Sequence, residues 1–183
     1  MPGNSPSVGM ESAVVFEGCW RRFQQRHGTA MRVPREIIFL NGAPGSGKGI
    51  NTPHILKTRG FDSSICVSSL LTSYPDARKF IDAGEMISDA VVCDALLEDL
   101  LGGRLGGGGA RGGGVDGGEC AGVVVDGFPR TAVQVDFLKL LHDKLAALHR
   151  AHAEGPLSAA FPRPGFKVVV LYVDEETRRG RRT

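Results

Sequence analysis

The run EIIFLNGAPGSGKGINTPHIL, residues 36–56, decides the fold. Residues 36–41 are almost continuously apolar, the pattern of a short strand buried on both faces of a parallel sheet. Glycines follow at once, and a helical stretch then runs to about residue 58. Gly42, Gly47 and Lys48 satisfy the spacing G-x-x-x-x-G-K between strand and helix. The physics of that spacing is direct. Glycines let backbone N–H groups turn inward toward anionic oxygens. The start of the helix adds the positive end of its dipole. Lys48 supplies a mobile charge for a transferring phosphoryl group. One feature departs from the pattern. The hydroxyl residue expected after the lysine is Gly49, and the next residue is Ile50. Thr52 lies two positions further along the helix and points elsewhere. Pro53 removes a helical hydrogen bond unless it falls in the first turn.

Downstream, SSICVSS (63–69) reads as a second short strand, and DARKFIDAG and SDAVVCDALLEDLL as two helices. Ser88 is a candidate N-cap, with Val91, Val92, Ala95, Leu96 and Leu100 as the buried stripe of its helix. Residues 102–118 hold 11 of the chain's 26 glycines. Such a segment cannot bury enough apolar surface to offset its ordering entropy, and it reads as a disordered insertion. GVVVDGFPR then gives a buried strand ending in the acid Asp126. The helix that follows carries Phe137, Leu138, Leu141, Leu145 and Leu148 on one face. FKVVVLYVD (166–174) is another buried strand. Strands alternating with helices predict a parallel α/β sheet.

Upstream, residues 1–11 are rich in Pro, Gly and Ser and read as a loose terminus. Residues 12–33 read as a helical extension with Val15, Cys19, Trp20, Phe23 and His27 on one face, ended by Gly28 and Pro34. The domain proper is expected over 34–183. A chain of 183 residues suits one domain with a real core. The net charge of +2 gives no basic footprint for nucleic acid, and Arg178, Arg179, Arg181 and Arg182 read as a solvated tail. Cys19, Cys66, Cys93 and Cys120 are too scattered for a zinc site. The opening residues have neither a basic n-region nor an apolar h-region, and no run is long enough to span a membrane. A cytoplasmic or organellar location and a monomeric state are expected.

The stretch DGFPRT, followed by Gln134, resembles the nucleoside monophosphate kinases, as does the loop GAPGSGKG, which is similar to that of the adenylate kinases. The resemblance runs from about Glu36 to Asp174 and implies a P-loop NTPase-type three-layer fold. It implies that Gly42, Gly45, Ser46, Gly47, Lys48 and Gly49 hold the phosphates of ATP, and that Asp126 holds Mg²⁺ through water. It implies that Gly127, Phe128 and Arg130 contact an acceptor such as AMP, with the arginine on its phosphate and Gln134 on its base. Arg130 offers a fixed fork of donors for that task, and an amide both donates and accepts. Ser69 and the segment Glu85, Met86 and Ile87 map onto the acceptor side. Lys48 and Arg130 are then the catalytic pair.

Three departures accompany the resemblance. VSSLLTS lacks the second phosphate-gripping arginine of the family, and Arg78 is out of register. Ile50 replaces the loop hydroxyl. The sequence stops after LYVDEETRRGRRT, where the family continues into a lid, a further helix and a last strand, so the expected sheet lacks that strand. Two readings stay open: a kinase acting on nucleoside monophosphates with Mg·ATP, and a nucleotide-binding protein of the same fold with weak or no turnover. A kinase of another small molecule is a third reading, which DGFPRT with Gln134 disfavours.

Overall fold

A computed structural model describes residues 7–28, 30–61, 63–102 and 121–173. The glycine-rich stretch beyond Gly102, Cys120 and the arginine tail therefore lie outside the described residues. Four strands form one sheet: β1 (Glu36–Gly42), β2 (Ser63–Cys66), β3 (Gly122–Asp126) and β4 (Gly165–Leu171), in the order β2-β3-β1-β4. All three pairings are parallel. Among the described residues the sheet ends at β4, where Val168 and Val170 are 59% and 68% exposed.

Side chains alternate across β1, as the strand period demands. Ile37 and Phe39 enter one core with Val123, Val125 and Ile65. Ile38 and Leu40 enter a second core with Val124 and Phe61. Helix α2 (Lys48–Arg59) covers the second core through Ile55 and Leu56. Helices α1 (Val8–His27), α5 (Asp89–Leu101) and α6 (Ala132–His152) cover the first. Two short helices, α3 (Val67–Ser73) and α4 (Pro75–Ala83), form an arm after β2. The result is the expected three-layer α/β fold with a parallel sheet.

Several boundaries differ from the sequence reading. Helix α1 starts at Val8, so residues 8–11 are helical rather than part of a loose terminus. Its buried face is Ser12, Phe16, Cys19, Trp20 and Phe23, one position off the predicted stripe at its start. The strand expected over 63–69 ends at Cys66, and Val67 to Ser73 turn into α3. Burial explains this, because Val67 and Leu71, four apart, both face the core as a helix allows. Helix α5 is buried on nearly all sides rather than along one stripe, since it sits between α1 and the arm. Ser88 caps it as expected, accepting from the Val91 N–H. Pro53 stands inside α2, beyond the first turn, so the Gly49 carbonyl has no proline N–H to accept.

The topology itself makes a crevice. From β1 the chain turns to one face of the sheet through α2, and from the neighbouring β3 it turns to the other face through α6. The connections diverge at the carboxyl ends of β1 and β3, the place where open α/β sheets bind ligands.

Candidate active site

The loop after β1 fills one side of that crevice. Gly42, Gly45 and Gly47 have φ of 153°, 83° and 95°. The last two values favour glycine, and Gly47 leads directly into α2. At Gly42 a Cβ would stand 2.5 Å from Ser46 Oγ and 2.7 Å from the Leu171 carbonyl oxygen, so the loop closes over this residue only because it is glycine. Lys48 Nζ donates to the carbonyls of Gly42 at 2.8 Å and Ala43 at 3.4 Å, back across its own loop. Ser46 is 5% exposed, and its hydroxyl has no partner among the described residues.

The missing hydroxyl is missing in space as well. Nothing stands within 4 Å of a Cβ at Gly49, and Ile50 is 73% exposed. Thr52 Oγ1 donates to the Lys48 carbonyl at 3.0 Å and is used inside the helix. Gly45 to Asn51, Asp126 and Val173 line a cleft of about 860 Å³. Asp126 enters it from the end of β3, where it lies in register with Leu40 of β1 and Cys66 of β2.

The turn after β3 is tied down at each residue. The Gly127 N–H donates to the Leu40 carbonyl at 3.2 Å, and Asn41 Nδ2 donates to the Pro129 carbonyl at 3.3 Å. Arg130 Nε donates to the Gly127 carbonyl at 2.7 Å. Gly127 has φ 85°, and a Cβ there would stand 2.5 Å from an Arg130 guanidinium nitrogen. Phe128 is buried in the core against Phe39. Among the described residues neither Lys48 nor Arg130 has a carboxylate partner. Two cations without counterions among the described residues flank the crevice, an arrangement suited to an anion.

Gln134 is 4% exposed rather than on a solvated helix face. Its Oε1 accepts from the Arg130 N–H at 2.8 Å, and its Nε2 donates to Asp89 Oδ1 at 2.6 Å. Thr131 caps α6 and also donates to Asp89. One Nε2 hydrogen of Gln134 is left for another acceptor. Sequence reasoning missed Asp89 as the residue that fixes this turn from α5. The signal was there, since Asp89 directly follows the N-cap Ser88.

Ser69 lies exposed on α3, and Glu85 and Met86 are exposed after α4, with Met86 at 92%. Ile87 packs against the main core. Arg78 is exposed on α4. Cys66, beside Ser68 Oγ at 3.3 Å, is the exposed thiol of the described residues. Burial works against its ionisation, but hydrogen bonds from Ser68 and Ser69 outweigh that and hold its pKa below the ordinary value.

Among the described residues no cluster of three His, Cys, Asp or Glu side chains is placed to hold a metal by itself. The donor set of the cleft still fits Mg²⁺, a hard cation that keeps most of its waters and needs one or two carboxylates beside phosphate oxygens. Asp126 is the carboxylate, and the Ser46 hydroxyl is a further oxygen without a partner.

Loop, crevice and tied turn together define a P-loop-type α/β domain. The chain is 30% identical over 112 residues to an adenylate kinase of Natronomonas pharaonis, a match covering 58% of this chain and 46% of that protein. The chain thus spans about half the length of that relative. Among solved structures, a gluconokinase from Sinorhizobium meliloti 1021 aligns over 82% of this chain and 91% of its own, at 19% identity and a TM-score of 0.39. No protein-family model matches the chain. The resemblance to the nucleoside monophosphate kinases drawn from the two motifs agrees with the similarity to an adenylate kinase. Among the described residues no helix is long and apolar enough to cross a membrane.

Proposed function

We propose that this protein is a phosphotransferase that moves the γ-phosphoryl group of Mg·ATP to AMP or another nucleoside monophosphate. The observation that supports this most is the shared cleft of Lys48 and Asp126 at the ends of neighbouring strands, with Arg130 on the turn beside it. In this reading the backbone from Gly45 to Gly49 cradles the donor phosphates. Lys48 leaves the carbonyls of Gly42 and Ala43 and neutralises charge on the transferred group. Arg130 grips the acceptor phosphate with the guanidinium nitrogens not bound to Gly127. Gln134 offers its remaining amide hydrogen to the base, while Ser69 and Glu85 to Ile87 border the acceptor. Asp126 holds the waters of Mg²⁺, which when bound supplies charge neutralisation on the phosphates.

An oxygen of the acceptor phosphate attacks the γ-phosphorus, and the bond from that phosphorus to the β–γ bridging oxygen breaks. The products are ADP and a nucleoside diphosphate. No side-chain base is needed, because this transfer is catalysed by alignment and charge. A second reading, nucleotide binding with little turnover, is favoured by Ile50 and by the absence of an arginine in VSSLLTS. The test is product chromatography with Mg·ATP and, separately, AMP, UMP, CMP and GMP. A diphosphate from one acceptor, absent with Lys48→Ala, supports the kinase. ATP binding without product supports the second reading.

A further inference from the structure

Tyr74 is the single residue between α3 and α4, and it caps both helices. Its hydroxyl donates to Asp94 Oδ2 at 2.6 Å. Asp94 lies in the middle of α5, 6% exposed. Its other partners both come from α1: Arg22 Nε at 3.0 Å and Arg26 Nη2 at 3.1 Å. The two arginines are four apart on α1, so they share a face. Arg26 also reaches Glu98, one turn along α5 from Asp94, at 2.8 Å, and His27 meets the same carboxylate at 2.8 Å. A buried carboxylate is costly without such partners. Helix α1 therefore makes Asp94 available as a charged acceptor for Tyr74.

Apolar contacts of the arm with the core are few, and Leu70 and the Tyr74 ring are only partly buried against it. Val67 and Leu71 of α3 are buried, and Ala77 is the one buried residue of α4. A cavity of about 360 Å³ opens beside Tyr74, walled by Arg22, Phe80 and Val91 among others. The polar contact is thus not backed by close packing on that side. Tyr74 also stands between the two stretches proposed for the acceptor, Ser69 before it and Glu85 to Ile87 after it.

We propose that Tyr74 is a positioning residue that latches the α3–α4 arm, through Asp94, to the N-terminal helix and so sets the acceptor side of the site. The proposal rests on the kinase reading for its consequence but not for the latch itself. The test compares the full chain with Tyr74→Phe, which keeps the ring and the arginine–carboxylate pairs. Hydrogen exchange without nucleotide is expected to quicken in residues 67–83 by about tenfold, the equilibrium worth of one hydrogen bond to a charged group. Amides of β1 and β3 are expected to keep their rates. With Mg·ATP and AMP, KM for AMP is expected to rise by a similar factor of about ten, with KM for ATP and kcat little changed. Unchanged arm exchange, or acceleration spread evenly over the molecule, overturns the latch. Faster arm exchange in a protein whose wild type has no turnover upholds the latch and overturns the kinase reading. Asp94→Asn, which removes the charge that Tyr74 and the two arginines share, is expected to quicken the same arm amides as Tyr74→Phe, and arm exchange equal to wild type in that variant overturns Asp94 as the anchor of the latch.

Discussion

Lys48 Nζ donates to the carbonyl of Gly42, the first glycine of its own loop, at 2.8 Å. The loop is closed by the cation that a phosphate would recruit. Lys48→Ala removes that cation without opening the core. Turnover is expected to fall by about a hundredfold or more, the cost of losing one preorganised donor to a developing charge. Thermal unfolding is expected to shift little. Activity equal to wild type would remove Lys48 from the mechanism.

Ile50 is 73% exposed at the loop position where the resemblance to the nucleoside monophosphate kinases implies a hydroxyl. Ile50→Thr therefore adds an oxygen at small cost in packing. The expected outcome is a rise in kcat of roughly tenfold, because one more oriented polar group faces the phosphates. Rates titrated against Mg²⁺ check it, with a lower half-saturating concentration expected in the variant.

Gly127 and Arg130 are matched in shape. Gly127→Ala forces a side chain onto φ 85° and sets its Cβ 2.5 Å from an Arg130 guanidinium nitrogen. The strain is about 1–2 kcal/mol, and the guanidinium must leave its place. KM for the acceptor is expected to rise with KM for ATP unchanged. Steady-state kinetics with each substrate varied in turn decides this, and an equal rise in both constants would count against Arg130 as an acceptor contact.

Glu36 joins three elements, pairing with Lys167 of β4 and Arg59 of α2. Burial opposes its ionisation, but these two cations outweigh it and hold its carboxyl below the ordinary value of 4.5. A depressed carboxyl pKa means that the folded state binds the proton less readily than the unfolded chain. The stabilisation is present above the ordinary value and is lost as pH falls through the folded-state value. Melting curves between about pH 3 and pH 7 should show Glu36→Gln with a flatter acid limb than wild type. Identical limbs would show that Glu36 contributes nothing to acid stability.

Cys66 is exposed, in register with Asp126, whereas Cys19 and Cys93 are buried. Burial, with the Asp94 charge next, pushes the Cys19 thiol up to about 11, and burial also raises that of Cys93. Iodoacetamide should label Cys66 before Cys19 and Cys93, since the thiolate is the nucleophile. Mg·ATP with AMP should slow that labelling. Peptide mapping checks both, and labelling indifferent to nucleotides would place the acceptor away from Cys66.

Strands β1 and β3 were legible because each is a short apolar run buried on both faces. Strand β4 reads as buried too, yet it is the edge of the sheet among the described residues and leaves Val168 and Val170 exposed. The P-loop and the turn Asp126 to Arg130 were legible for a related reason. Backbone N–H groups aimed at an anion demand glycine at fixed places, and those places are visible in one dimension. Less was legible where burial comes from distant partners. Residues 63–69 read as one strand, yet Val67 onward is helical, because the contacts of Val67 and Leu71 with the core outweigh local strand preference. Helix α5 gave a one-sided stripe in sequence but is enclosed by α1 and the arm.

The sequence by itself determined that a parallel α/β sheet carries a phosphate-type loop and an arginine-bearing turn, because local backbone chemistry dictates both. Only the tertiary structure decided that Lys48 and Asp126 share one cleft, that Gln134 is buried between Arg130 and Asp89, and that Tyr74 reaches Asp94 between two arginines of α1. These relationships join residues far apart in the chain. They are fixed by strand order and by the cost of leaving a buried polar group without a partner, neither of which has a signature at any single position.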